Sequence, residues 1–305
     1  LIVTDGSSDR TPEMVSAYPD ARVRLLHQAE RQGKSAALRR AWPHVRSDVV
    51  LFSDANCTLP AAALRAMVRH LADPHVGGVS GAKRFSDATG AVGRGEGVYW
   101  RYEAWLKRCD SAVGSVMGAP GEVWLARREA YRPPEPHRLL DDFVASLRLV
   151  AAGWRVVFEP QAVACEQPSS SLRAEWRRRV RNAAGGWQAV WRLREMWRLR
   201  PLLMWQYLSH RVLRWTVAPL AQGMLLVANL GLLARHAYLA FAIGQGLLYG
   251  LAAVGWLLAR SGRRTGFFPR IAISLFYLTM LHAASLAGGA LYLSGRQSVL
   301  WLKAR

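Results

Sequence analysis

The last carboxylate in this chain is Glu195, and that boundary limits the fold more than any other feature. Residues 196–305 hold no acidic side chain but contain three apolar runs, Trp215–Ala234, Ala237–Ala259 and Ile271–Leu293. Each is about 20 residues long, enough to cross the apolar core of a bilayer as a helix. A single run of this kind could be a buried core helix; three in succession favour a membrane region of all-α spans. The stretch "RSGRRTGFFPR" between the second and third runs carries Arg260, Arg263, Arg264 and Arg270. The positive-inside rule places such a loop on the cytoplasmic side. Counting back over two spans puts residues 1–195 in the cytoplasm as well, as one domain of a multi-pass protein of the cell (inner) membrane. The formal charge of +20 then has a partner in anionic membrane lipids. Cys57, Cys109 and Cys165 are odd in number and lack a CxxC spacing, so they read as reduced and structural. The chain opens at Leu1, inside a strand pattern and without Met, and is expected to be a fragment that has lost its N-terminus.

The first 80 residues alternate strand and helix patterns. Strands are expected at Leu1–Thr4, Val23–Leu26, Val49–Phe52 and Val76–Ser80, and helices at Thr11–Tyr18, Lys34–Trp42 and Ala61–Leu71. This alternation predicts an α/β fold with a parallel sheet covered on both faces. In such sheets ligands bind beyond the carboxyl ends of the strands. Asp5 and Asp54 stand at two of those ends. A turn explains an Asp and an Asn after a strand, as in "SDAN" (53–56), because both bond their own backbone. Position in the sheet raises Asp54 to a site candidate.

Further on, "EGVYWRYEAWLKRC" (96–109) is a helix whose aromatics, Tyr99, Trp100, Tyr102 and Trp105, are assigned mostly to packing. Asp141 and Asp142 open another helix, Gly153 closes it, and Trp154–Phe158 is a strand. A carboxylate in the first turn is favoured by the helix dipole, but two adjacent ones exceed what a cap needs. They cannot face each other across a glycosidic bond, so one acting alone as a general base is the simpler role. "RQGKSAAL" (31–38) fails as a P-loop, because position 28 is Gln where Gly is required. Gly33 and Lys34 can still bring helix N-terminal amides and one cation to a diphosphate. "EWRRRVRNAAGGWQ" (175–188) fits a basic helix lying on a membrane, or guanidinium recognition of phosphate.

The stretches "LIVTDGSSDRT", "GKSAALRRAW", "FSDANCTLP", "LLDDF…GWRVVFEP" and "RRVRNAAGG" occur in the order and spacing of family 2 glycosyltransferases. The chain most resembles the membrane-embedded cellulose, hyaluronan and poly-N-acetylglucosamine synthase-like branch, over roughly residues 1–215. The resemblance implies a GT-A-like fold, a UDP-sugar donor, a glycan or lipid-linked acceptor, and Mg²⁺ or Mn²⁺. It assigns Asp5 to the uracil and Asp54 with Asn56 to the metal, Asn56 standing where the family has a second Asp. Asp142 becomes the catalytic base of an inverting transfer, while Arg179 and Arg181, with Lys34, hold the donor diphosphate. The acceptor-binding Trp of the family motif is replaced by Asn182, and Trp187 is the substitute.

Two other readings compete. A membrane-anchored nucleic-acid binder would use the arginines and tryptophans of 175–188, but Asp5, Asp54 and Asp142 would repel phosphate without a metal. Nucleic acid is therefore not expected as a partner. A catalytically inactive synthase scaffold leaves the intact Asp142 without a purpose.

Overall fold

A computed structural model of the chain describes residues 1–86, 91–261 and 266–298. Elements follow in the order β1 (Ile2–Asp5), α1 (Thr11–Ser16), β2 (Leu25–Gln28), α2 (Lys34–Ala41), β3 (Val49–Phe52), β4 (Cys57–Thr58), α3 (Ala63–Val68) and β5 (Val76–Phe85). Then come α4 (Ala91–Val113), β6 (Trp124–Arg127), α5 (Asp141–Ala151), β7 (Arg155–Glu166) and α6 (Leu172–Arg192). The chain continues as α7 (Pro201–Tyr207), α8 (Leu213–Trp215), α9 (Val217–Gly231), α10 (His236–Ser261) and α11 (Phe267–Leu293).

The expected parallel sheet is found in part. β1 and β2 pair in parallel as a small sheet, while the main sheet runs β3-β6-β5-β7-β4. β6 enters antiparallel between β3 and β5, and only β5 and β7 run parallel within that sheet. The sheet is therefore mixed, because the chain returns through α4 and reverses before β6. β5 and β7 also run past their expected ends at Ser80 and Phe158. Pro160 cannot donate to a ladder and reads as a strand terminator. Here it falls where the register shifts between Ser80↔Phe158 and Ala82↔Val163, so pairing resumes beyond it.

Side chains alternate across the sheet as a pleat requires. Val123 and Leu125 join Met67 and Val157 on one face; Trp124 and Ala126 join Val144, Leu147 and Val156 on the other. The second core also takes in Met196, Tyr207 and Val212. Packing thus runs without a break across residue 195, where a domain boundary was expected.

The three expected spans become two long apolar helices and a shorter one. Tyr238–Ser261 and Phe267–Leu293 are long and apolar enough to cross a membrane, each with a mean hydropathy of 1.6. α9 has 15 residues, about 22 Å of helix, which falls short of a bilayer core of about 30 Å. Its start is set by the turn at Thr216, which separates it from α8, and its last turn ends before Arg235. The count of spans that placed residues 1–195 in the cytoplasm loses a member, and Arg263 and Arg264 lie outside the described residues.

α11 packs along α6. Tyr277 and Met280 meet Trp176 at one end. At the other, Gly288 and Gly289 let α6 approach so closely that Trp187 donates its indole N–H to the Ser285 carbonyl at 3.2 Å. Polar side chains bind the apolar helices together: Asn229 donates to Gln245 at 2.7 Å, and Gln222 to Tyr249 at 3.1 Å. Such bonds are a recognised glue between apolar helices. A side-chain carbon at position 288 would stand 2.6 Å from the Val180 carbonyl oxygen and 2.7 Å from Ala183 Cβ. Backbone cannot give way cheaply, so Gly288→Leu should cost about 1–3 kcal/mol as an overpacked contact. Thermal unfolding of the purified chain in detergent checks this, and an unchanged midpoint would refute the close α6–α11 approach.

Candidate active site

Three chain segments meet at one cavity of about 670 Å³, within the range usual for ligand sites. β3 ends at Phe52 and delivers Asp54. α2 begins with Lys34, and α5 begins with Asp141 and Asp142. The loop carrying Lys34 is shaped by Gly33, whose φ of +97° suits only glycine. It is braced by Asp5, whose carboxylate accepts the backbone N–H of Gly33 at 2.6 Å and of Gln32 at 3.1 Å. Both oxygens of Asp5 are engaged in this way. The residue assigned to the uracil is instead placed as the support of the Lys34 loop.

Lys34 is the hub. Its Nζ lies 2.5 Å from Asp54 Oδ1 and 3.9 Å from Asp141 Oδ2. Burial works against its charge, but Asp141, Asp54 and Asp142 outweigh it and hold the ammonium above its ordinary range. Burial pushes Asp142 up to about 7; the adjacent Asp141 carboxylate adds to the push, and Lys34 opposes it. Asp141 moves up as well, by burial, against the pull of Lys34. No side chain caps the N-terminus of α5, whose N-cap is Leu140. Gly121 completes the arrangement, since a side-chain carbon there would stand 2.7 Å from Lys34 Nζ and 2.9 Å from Asp142 Oδ2.

Asn56 lines the same cavity, with its amide turned by a partner far along the chain. Its Nδ2 donates to Glu166 Oε1 at 2.6 Å. Glu166 in turn pairs with the buried Lys83, which also pairs with Glu122. Burial alone would raise the Glu122 carboxyl, but Lys83 holds it below the usual range. Lys83, Glu122 and Glu166 carry no local motif. Their link is the pairing of β4 and β5 with β7, which sets Cys57 opposite Glu166 and Phe85 opposite Glu166. Only that register brings them together.

Asp54 and Asn56 offer hard oxygen donors of the kind Mg²⁺ and Mn²⁺ take. Among the described residues, no group of three or more His, Cys, Asp or Glu side chains stands close enough to hold an ion. A site with few protein ligands suits an ion that takes the rest of its shell from substrate phosphates and water. Asp54 already attracts a cation, the Lys34 ammonium. The residues present fit a divalent ion held by Asp54, with Asn56 as a neutral neighbour.

The other assigned residues separate. Arg179 is buried in α6 and donates to Glu175 at 2.5 Å, with its guanidinium 4.7 Å from the centre of the Tyr99 ring. It lines the cavity while tied to this pair. Arg181 faces the field of Asp141 and Asp142, although burial lowers it to about 10. Trp187 is committed to α11 and does not line the cavity, so its acceptor role is not what its placement supports. The aromatics that do line it are Tyr99, Trp100, Tyr102, Phe143 and Trp215. The first three were assigned to packing, because helical spacing alone cannot tell a core face from a cavity wall.

Residues 1–133 match the family model described as "Glycosyl transferase family 2". The poly-beta-1,6-N-acetyl-D-glucosamine synthase of Staphylococcus aureus is 26% identical over 198 residues, 63% of this chain and 48% of the relative. The beta-monoglucosyldiacylglycerol synthase of Synechocystis is 27% identical over 205 residues, 65% of this chain and 42% of the relative. The chain thus spans less than half the length of these two relatives. A mannosyltransferase from Pyrobaculum calidifontis, solved with GDP-Man and Mn²⁺, superposes with a TM-score of 0.71 at 23% identity. That match covers 97% of this chain and 78% of the other, and it establishes a GT-A-like glycosyltransferase fold with a helical C-terminal region.

Asn56 supplies the prediction here. An aspartate at 56 would set a second carboxylate at hydrogen-bonding distance from Glu166, where only the amide N–H is now welcome. Asn56→Asp alone should therefore lower the thermal midpoint and fail to tighten Mn²⁺–UDP binding. Asn56→Asp with Glu166→Gln should recover both, since residues in contact couple. Calorimetric titration decides it: tighter binding in the single variant would show that Glu166 does not set the orientation of Asn56.

Proposed function

We propose, for a chain that carries a family 2 glycosyltransferase domain over residues 1–133, that it transfers a sugar from a UDP-sugar to a glycan or lipid-linked acceptor at a membrane, forming a β-glycosidic bond. The observation that carries this reading is one partly buried carboxylate, Asp142, raised to about 7 and lining one cavity together with Asp54 and Lys34.

An acceptor hydroxyl is far too weak an acid to ionise at neutral pH, so its proton must leave as the new bond forms. A base works best when its pKa lies near the working pH. Asp142 meets that condition and takes the proton. The acceptor oxygen then bonds to the anomeric carbon while the bond from that carbon to the diphosphate breaks, with inversion. Lys34 balances charge on the departing side, and Arg181 adds a second cation near Asp141 and Asp142. A divalent ion at Asp54 would supply Lewis acidity toward the diphosphate. Asp141 is the positioning neighbour whose charge raises Asp142. The apolar helices α10 and α11, and the diacylglycerol product named for one similar protein, support action at a membrane.

The test is the purified full chain supplied with single UDP-sugars, Mn²⁺ and candidate acceptors. Asp142→Asn keeps the shape but cannot take a proton. It should bind UDP as before and lose about 10²–10⁴-fold in transfer rate. The wild-type rate should rise with pH up to about 7, as Asp142 loses its proton. A bound cation favours the carboxylate, so the midpoint should lie at or below that value. Near-normal transfer by Asp142→Asn, or an α-linked product from an α-linked donor, would defeat the mechanism.

A further inference from the structure

Three groups on the cavity wall have no part in this chemistry: Glu122 just before β6, Glu166 at the end of β7 and Trp100 on α4. Behind the two carboxylates lies Lys83 of β5, which pairs with both. The Lys83 side chain is 1% exposed and does not line the cavity, whereas those of Glu122 and Glu166 are 16% and 17% exposed and do. The carboxylates therefore face the space and their shared ammonium does not. Lys83 keeps Glu122 ionised against burial, and an ionised carboxylate only accepts, at about four sites over its two oxygens. Asn56 and Lys83 leave part of that capacity of Glu166 unused. Lys83 also lies 5.2 Å from the centre of the Trp100 ring. Among the described residues the buried indole N–H of Trp100 has no partner. An unmatched buried donor on a cavity wall calls for an acceptor in the ligand.

The donor ring is bounded by the two bonds that change at its anomeric carbon. One runs to the diphosphate at Asp54, the other to the oxygen that Asp142 deprotonates. The carboxylate pair reaches toward both. Glu166 holds the amide of Asn56, two residues past Asp54, at 2.6 Å. Glu122 lies in the field of Asp142 and follows Gly121, which abuts Lys34 and Asp142. Acceptors beside one donor suit hydroxyls, which donate and accept at once. A carboxylate on the ring only accepts, and would meet Glu122 and Glu166 as a like charge. Two further cations act on Glu122, yet each has another partner: Lys34 has Asp54 and Asp141, and Lys107 has Glu103.

We propose that Glu122 and Glu166 select the donor sugar, accepting from hydroxyls of a neutral hexose ring and turning away a ring that bears a carboxylate. Trp100 donates to one of the same hydroxyls, and Lys83 fixes the two carboxylates from behind. This deepens the donor reading and rests on it for the placement of the diphosphate. A site built to bond hydroxyls discriminates well, because a wrong ring leaves its buried polar groups unpaired.

Calorimetric titration of the full chain in neutral detergent with Mn²⁺ tests this. The probes are UDP, UDP-glucose, UDP-N-acetylglucosamine and UDP-glucuronate. Both neutral donors should bind more tightly than UDP-glucuronate by about tenfold or more, the equivalent of one unmade hydrogen bond to a charged group. Glu122→Gln keeps the shape of the side chain, removes its charge and adds an N–H donor. It should narrow that ratio from both sides, weakening the neutral donors and strengthening UDP-glucuronate, while UDP affinity stays unchanged. Glu166→Gln should narrow the ratio in the same direction. The wild-type ratio decides even where a variant fails to fold: equal or tighter binding of UDP-glucuronate would overturn the selection. So would a ratio that neither variant changes. Failure of UDP itself to bind would defeat the donor reading and this selection with it, whereas UDP binding with all three sugars held equally would defeat the selection alone.

Discussion

The site depends on one electrostatic constraint: Asp54, Asp141 and Asp142 share a partly buried space with one Lys34. Carboxylates so close together cannot all ionise cheaply, because each raises the cost of the next. A single ammonium between them meets part of that cost, and the remainder appears as the raised Asp142. The local folding serves that meeting. Gly33 turns the chain and Asp5 ties the turn to β1, so that α2 starts with Lys34 aimed inward. Gly121 keeps the space clear where Lys34 and Asp142 approach. A metal-bridged diphosphate fits this balance, since it brings both the cation the carboxylates lack and the anion Lys34 attracts.

Elsewhere on the cavity wall the charges are paired: Glu103 with Arg211 and Arg214, and Glu175 with Arg178 and Arg179 of α6. α6 is thus less a surface helix on lipid than a partition between the cavity and α11. Its small residues Ala183, Ala184 and Gly185 are buried and Arg178 and Arg179 are paired with Glu175, while Arg173, Arg177 and Arg192 are exposed. The amphipathic pattern that suggested a membrane-surface helix is the same pattern such a partition needs, with one face apolar toward α11 and one charged toward the cavity.

What was legible in the sequence is what local chemistry decides. Val49–Phe52 forms a strand as expected, and Asp54 follows its end; Asp141 opens α5 and Lys34 opens α2, so three corners of the site could be named from neighbours in sequence. What was not legible depends on tertiary register. Nothing near Asn56 points to Glu166, which reaches it only because β4 and β5 both pair with β7 across the bulge at Pro160. Arg211 and Arg214 were lost in a stretch read as the approach to a membrane span, and their partner Glu103 was hidden in an aromatic helix assigned to packing. Trp187 misled for the opposite reason. It sits at a plausible distance from the arginine motif, but Gly288 and Gly289 draw α11 in and bury the indole there. Composition alone overcounted the spans, because it does not register that Thr216 interrupts the helix just inside the first apolar run.

Asp142 lies within the field of both Lys34 and Lys107, so the group proposed as the base is flanked by two cations. Burial and the adjacent Asp141 carboxylate, working against Lys34, are what keep its carboxyl raised, and loss of either would return it toward an ordinary carboxylate.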